Sequence, residues 1–233
     1  MNDNNNLSIG IILDGNRRFA KKKGLKPWMG HKFGVENVKN ILEWCQDLGV
    51  KELTLYSFSI DNFKRSEKEI KFLFVLFKQY IKQLKNDKRL SEKGIRINYL
   101  GRLNMFPKDI QKEMHEVMEK TKKNNKFRVN FAMAYSGRAE ITDALKKIIQ
   151  KIKNKKIIEN DVDEKLINDN LYLSSSPDIL IRPGGEKRIS DFLIWQNSYT
   201  ELFFTDKLWP EFTKEDLIKI INEFKQRERR YGK

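Results

Sequence analysis

Three short segments concentrate the residue types that handle phosphates. Asp14-Gly15-Asn16-Arg17-Arg18-Phe19 sets a carboxylate, a glycine, an amide and two guanidinium groups in one run. An Asp so placed can hold Mg²⁺, a hard cation that takes carboxylate oxygens and shares them with substrate phosphates. Gly15 lets the backbone approach an anion, and Arg17 and Arg18 offer planar forks to phosphate oxygens. The same residues would also serve as a helix N-cap followed by a solvated basic turn. The second segment, Ser57-Phe58-Ser59-Ile60-Asp61-Asn62-Phe63-Lys64-Arg65, gathers hydroxyls, a carboxylate, an amide, a ring and a guanidinium. Polar connectors of this kind are common, so alone it carries little. The third is Arg182-Pro183-Gly184-Gly185-Glu186-Lys187-Arg188-Ile189-Ser190. Its paired glycines permit unusual backbone angles, while Arg182, Lys187, Arg188 and Ser190 supply donors. It is neither a P-loop nor a G-x-G-x-x-G fingerprint, so those routes to nucleotide binding find no support. A phosphate-binding loop is the preferred reading over a generic turn. Together the three segments predict a site for one or two diphosphate groups.

Chemistry at this spacing needs a frame. Apolar runs predict strands at Ser8–Leu13, Leu53–Phe58, Ile95–Leu100, Phe127–Ala134, Asp178–Arg182 and Glu201–Thr205. Helical periodicity places Val35, Val38, Ile41, Leu42, Cys45 and Leu48 on one face of His31–Leu48, with Gly49 as its stop. A second helix, Ser66–Lys88, opens on the capping-box pattern Ser66-Glu67-Lys68-Glu69. Phe72, Leu73, Phe74, Phe77, Ile81 and Leu84 give it a broad apolar stripe. Further helices are expected at Pro107–Lys123, Arg138–Lys153, Asp163–Leu171 and Thr213–Arg230. Alternating strands and helices predict one α/β domain over residues 1–233, with a central six-stranded, mostly parallel sheet; residues 1–6 are expected to be disordered. Ligands of such sheets bind beyond the C-terminal strand ends, which is where the three segments lie.

Composition narrows the class. Among 233 residues, 47 Lys and Arg face 32 Asp and Glu, giving a formal charge of +15. Lysines are spread along every segment, so the charge need not mean nucleic acid, and none is expected as a partner. The single cysteine, Cys45, excludes an intramolecular disulfide and a cysteine zinc site. Phe72–Phe77 is the longest apolar run, far below the roughly 20 residues a spanning helix needs. With no signal-peptide pattern at Met1–Asn6, the expected location is cytoplasmic, at most peripheral to a membrane.

The chain resembles the cis-prenyltransferases, the undecaprenyl diphosphate synthase-like isoprenyl transferases. The matching pieces are Ile11–Arg18, Gly30-His31, Leu55–Ser59 with Asn62, Ile181–Ser190, Trp195-Gln196 with Tyr199–Leu202, and Arg227–Gly232. They run in the family's order along almost the whole chain, in a version closer to archaeal and eukaryotic members. The resemblance implies repeated addition of isopentenyl diphosphate to an allylic diphosphate, farnesyl or geranylgeranyl, with each new double bond in cis. It implies Mg²⁺ at Asp14, with Glu201 as a second metal-associated carboxylate acting from a partner subunit. Gly15, Asn16, Arg17, Arg18 and Phe19 would cradle the allylic diphosphate, with His31 as a further phosphate contact. Arg182, Arg188, Ile189 and Ser190 would hold isopentenyl diphosphate. Asn62 matches the proton acceptor. A neutral amide is a poor base, so Asn62 is expected to position while a diphosphate oxygen or water takes the proton. Ser59, Ile60, Asp61, Phe63 and Arg65 match the substrate-contacting loop around it. Arg230 and Gly232 match a tail that completes a neighbouring active site, which implies a homodimer.

The sequence departs from the bacterial pattern at two positions. Pro27 stands where those members carry an arginine, leaving Arg17 or Lys26 to take over that phosphate contact. Lys187 stands at a metal-linked histidine and would repel Mg²⁺. A growing polyprenyl chain requires an apolar tunnel, for which the stripe after Ser66 is a candidate wall and also a plain core face. A lipid product further implies transient contact with a membrane surface. Two other readings compete: a non-catalytic partner subunit, which would lack Asp14 and the Gly-Gly-Glu-x-Arg loop, and a nucleic-acid binder, which would interleave aromatics with a basic stripe. A trans-type synthase is excluded because no Asp-Asp-x-x-Asp pair occurs.

Overall fold

The architecture follows from six strands, the central ones apolar on both faces and the edge ones on the inner face. In Ser8–Ile12 (β1), Ile9, Ile11 and Ile12 are all buried, as expected for a strand covered by helices on each side. A computed structural model describes residues 6–227. It adds strands Glu52–Ser59 (β2), Ile95–Leu100 (β3), Phe127–Tyr135 (β4), Ile179–Pro183 (β5) and Glu201–Thr205 (β6). Their order is β3-β4-β2-β1-β5-β6, and every pairing is parallel rather than mostly so. The helices are Asn16–Lys22 (α1), Gly30–Asp47 (α2), Glu67–Asn86 (α3), Arg89–Glu92 (α4), Lys108–Thr121 (α5), Gly137–Lys153 (α6), Glu164–Asn170 (α7) and Lys214–Gln226 (α8).

From β1 the chain moves to β2 on one side, whereas β5 returns on the other. The loops after β1 and β5 therefore diverge and leave a crevice at the switch point of the sheet. Asp14 and Arg182 flank that crevice.

Two expectations need correction. Asn16–Lys22 is a helix, not a turn: it buries Phe19 and Ala20, too short an apolar face to show as a period. The last helix stops at Gln226 rather than Arg230. Arg227 adopts extended backbone, donates to Glu201 at 2.6 Å and Glu223 at 2.7 Å, and lies 4.1 Å from the Phe203 ring centroid. Arg230 and Gly232 lie outside the described residues, as do residues 1–5 of the segment expected to be disordered; Asn6 is exposed.

α1 is seated by glycines. A Cβ on Gly30 would lie 1.8 Å from the Asn16 carbonyl oxygen, and one on Gly34 2.1 Å from Asn16 Oδ1. One turn apart on α2, the two glycines form a groove for the residue that begins α1. Elsewhere on α2, Val38, Ile41, Leu42 and Cys45 enter the core, where burial pushes the Cys45 thiol well up.

Candidate active site

At the mouth of the crevice Asp14 is held by two arginines. Arg182 Nη2 donates to Asp14 Oδ2 at 2.8 Å, and Arg18 Nη2 to Oδ1 at 3.2 Å. Arg18 also donates to the Gly184 carbonyl at 2.6 Å, so α1 and the loop after β5 are tied together. Gly184 has φ +101°, and a Cβ there would lie 2.6 Å from Arg18 Nη2, so the close approach requires glycine. Arg182, a buried residue, also donates to Ser190 Oγ at 2.7 Å and to the Arg188 carbonyl. The Asp14 side chain remains 28% exposed and open to a ligand.

A second group forms where α2 meets α3. Ser66 caps α3 by accepting from the Glu69 N–H at 3.4 Å, which sets Glu69 in the first turn with its side chain only 3% exposed. Arg65 Nη1 donates to Glu69 Oε1 at 3.0 Å, His31 Nε2 lies 3.4 Å from the same oxygen, and Arg17 Nε lies 3.9 Å away. Burial, together with the neighbouring Arg65, pulls His31 down to about 4, so its imidazole is neutral near pH 7. Burial likewise lowers Arg65.

Both groups open on one cavity of about 430 Å³. Its mouth is polar, with Asp14, Asn16, His31, Arg65, Arg182 and Arg188. Its depth is apolar, with Leu73, Leu76, Phe77, Ile81, Phe131 and Met133. Tyr80 and Tyr99 close the far end, with hydroxyls buried and without hydrogen-bond partners. Tyr80 also lines a second cavity of about 160 Å³ beside α4. Of the expected tunnel wall, Leu73, Phe77 and Ile81 line the main cavity, whereas Phe74 meets Phe58, Phe63 and Phe106 in tilted and edge-on contacts and Leu84 faces the second cavity.

The expected site residues divide by placement. Asp14, Asn16, His31, Ser59, Ile60, Asp61, Asn62, Arg65, Arg182, Arg188 and Ser190 line the cavity. Asn62 Oδ1 accepts from the Ser59 N–H at 3.1 Å, so the amide presents donors, not a base, to a ligand. Gly15, at φ +108°, opens α1 under Leu208, and the Arg17 side chain is 54% exposed at the rim. Phe19, Phe63 and Ile189 pack elsewhere: Phe19 on Phe33, Phe63 among the phenylalanines behind the cavity, and Ile189 against the smaller apolar cluster around Phe192. Lys26 lies over the Trp28 ring, and Lys187 is exposed. Glu201 begins β6 in register with Ile179, at the end of the sheet opposite Asp14. One chain therefore does not bring these two carboxylates together. Sequence reasoning assigned Glu69 only a capping role and passed over Asp191, which also lines the cavity.

Among the described residues no three His, Cys, Asp or Glu side chains cluster as a metal site. An accessible Asp14 set between two arginines nevertheless fits Mg²⁺, which commonly takes one or two carboxylates and completes its shell with water and substrate phosphates.

The family model described as "Putative undecaprenyl diphosphate synthase" matches residues 12–232. A Pyrococcus abyssi protein named tritrans,polycis-undecaprenyl-diphosphate synthase (geranylgeranyl-diphosphate specific) is 47% identical over 97% of this chain and 86% of its own length. An isoprenyl transferase from Clostridium perfringens is 43% identical over 96% of this chain and 88% of its own. Among solved structures, lavandulyl diphosphate synthase from Lavandula x intermedia, in complex with dimethylallyl diphosphate, superposes with a TM-score of 0.91. It is 32% identical, with 98% of each chain covered. A probable undecaprenyl diphosphate synthase from Campylobacter jejuni gives a TM-score of 0.82 at 31% identity, with 100% of each chain covered. The chain therefore belongs to the undecaprenyl diphosphate synthase family and is a prenyltransferase of the cis type.

Proposed function

We propose that the enzyme condenses isopentenyl diphosphate repeatedly with an allylic diphosphate and releases a medium- or long-chain polyprenyl diphosphate. One observation carries this reading: a carboxylate set between two arginines guards a cavity that turns apolar with depth. The archaeal relatives are named geranylgeranyl-diphosphate specific, which supports that primer over the farnesyl one.

In this reading Asp14 and the start of α1 receive the allylic diphosphate, with Arg17, Arg18 and His31 as its donors. Arg182, Arg188 and Ser190 hold isopentenyl diphosphate. Mg²⁺ bound at Asp14 would supply charge stabilisation for the departing diphosphate. Asn62 orients the isopentenyl unit, and a diphosphate oxygen or a water accepts the proton lost after the carbon–carbon bond forms. The apolar depth shields the lengthening chain, whose surface costs roughly 25 cal/mol per Å² in water. A homodimer brings Glu201 and the Arg230–Gly232 tail to a neighbouring site. Release of the lipid product takes place in transient contact with a membrane surface. No helix among the described residues is long and apolar enough to cross one.

The test is an incubation with Mg²⁺, labelled isopentenyl diphosphate and either farnesyl or geranylgeranyl diphosphate, with products sized by chromatography. A polyprenyl ladder ending at one dominant length, stronger with the geranylgeranyl primer, is expected. No extension by folded protein with either primer would favour a non-catalytic partner subunit.

A further inference from the structure

At the end of β4 and in the loop after β5, four non-glycine residues adopt left-handed backbone: Ala134 at φ +48°, Ser190 at +49°, Asp191 at +64° and Leu193 at +49°; of these, Ser190 and Asp191 line the cavity. Such angles are strained outside glycine and persist only where surrounding bonds enforce them. The enforcing bonds converge on Asp191. Its backbone carbonyl accepts from the Gly137 N–H at 2.8 Å. Its carboxylate accepts from the Arg138 N–H at 3.1 Å and from Ser136 Oγ. Ser136 is also the N-cap of α6, accepting from the Ala139 N–H at 3.2 Å. A Cβ on Gly137 would stand 2.8 Å from the Asp191 carbonyl oxygen, so glycine there permits the contact. On the other side of the same loop, Arg182 holds Ser190 Oγ and the Arg188 carbonyl while it pairs with Asp14.

We propose that Asp191 is a positioning residue that ties the loop bearing Arg188 and Ser190 to the start of α6. Each oxygen of its carboxylate accepts from the start of α6, Oδ1 from the Arg138 N–H and Oδ2 from Ser136 Oγ, so its effect on substrate is exerted through the loop that these bonds hold. The proposal rests on the assignment of Arg188 and Ser190 to isopentenyl diphosphate.

Asp191→Gly tests it, because glycine keeps the left-handed backbone without strain and removes only the carboxylate. The expected result is a rise of about tenfold in KM for isopentenyl diphosphate, the scale of a small misplacement of binding groups. KM for the allylic primer and kcat should move much less. Asp191→Asn keeps an acceptor, tolerates the same backbone, and should recover most of the loss. In the protein without substrate, hydrogen exchange should quicken at residues 186–192 in Asp191→Gly while the sheet stays protected. Wild-type KM and wild-type exchange in Asp191→Gly would overturn the proposal. So would equal rises in both KM values, which mean general loosening. If wild-type protein extends neither primer, the functional reading fails, while the exchange experiment still decides whether the tie exists.

Discussion

The two ends of the cavity are built on opposite principles. At the mouth, Asp14, Arg18, Arg182, Arg65, His31 and Glu69 are fixed by ion pairs and hydrogen bonds: Arg18–Asp14 and Arg65–Glu69 each span one helical turn, whereas Arg182–Asp14 and His31–Glu69 join distant segments. At the far end, side chains of α3 and of strands β3 and β4 meet by packing alone, and the hydroxyls of Tyr80 and Tyr99 find no partner. Directional bonds suit groups that must hold a diphosphate in one pose. Undirected packing suits a chain whose length changes at every turnover. Substitutions at the mouth should therefore alter rates and Michaelis constants, and those at the far end should alter the product.

The sharpest break at the mouth is Asp14→Ala. Turnover should fall roughly a thousandfold or more, the scale for removing the centre of charge stabilisation. The fold should survive, because Arg182 keeps its bonds to Ser190 and the Arg188 carbonyl. Normal product formation by a folded variant would remove Asp14 from the chemistry. Glu69→Ala separates two roles within the mouth. It strands Arg65 and His31 beside an emptied, buried position, and should cost about 3–5 kcal/mol of stability. A drop in Tm read by circular dichroism checks this; an unchanged Tm would mean that solvent reaches the group. Arg188→Ala is milder, with KM for isopentenyl diphosphate raised about tenfold and kcat nearly kept. Tyr80→Ala probes the far end. It removes the wall shared by the two cavities, and chromatography should show longer products with little change in the first addition. An unchanged length distribution would place the ruler elsewhere.

The smallest expected effect is one of pH. The groups facing His31 are Arg65, Glu69 and Arg17, and the first-ranked influence on it is burial, which lowers it to about 4. The folded protein thus binds fewer protons than the unfolded chain between about 4 and the ordinary 6.5. Its contribution to stability is complete above about 6.5 and is lost as pH falls through that window. In a Tm-against-pH series the difference between wild type and His31→Gln should stay constant above about 6.5 and shift against wild type as pH falls from 6.5 to about 4.

Much of this frame was legible because the central strands are buried on both faces and the edge strands keep an apolar inner face. The alternating Ile95–Leu100 and the short Glu201–Thr205, both at the sheet's edges, end where the strands end, as does the more continuously buried Ile179–Pro183. Helix α1 was not legible, since Asn16–Lys22 offers only Phe19 and Ala20 to the interior. The end of α8 was hidden as well, because an ion pair to Glu201, not a local stop signal, turns Arg227 out of the helix. At the site, the residue types after each strand pointed to diphosphates, but partners came only with the fold. Glu69 looked like a cap alone, and the seat that Gly30 and Gly34 make for Asn16 showed in the sequence only as two glycines one helical turn apart. The separation of Asp14 from Glu201 depends on which end of β6 carries the carboxylate, a matter of strand direction in the assembled sheet.

The Asp14–Arg182 pair joins residues 168 positions apart. A ribosome adding about 5–20 residues per second needs on the order of ten to thirty seconds to make that stretch. Throughout that interval β1 has one edge still waiting for β5, and the first phosphate-binding loop exists without the residue that will orient its carboxylate. During synthesis, therefore, the nascent chain can acquire the β1–β2 half of its sheet well before it can acquire a working site.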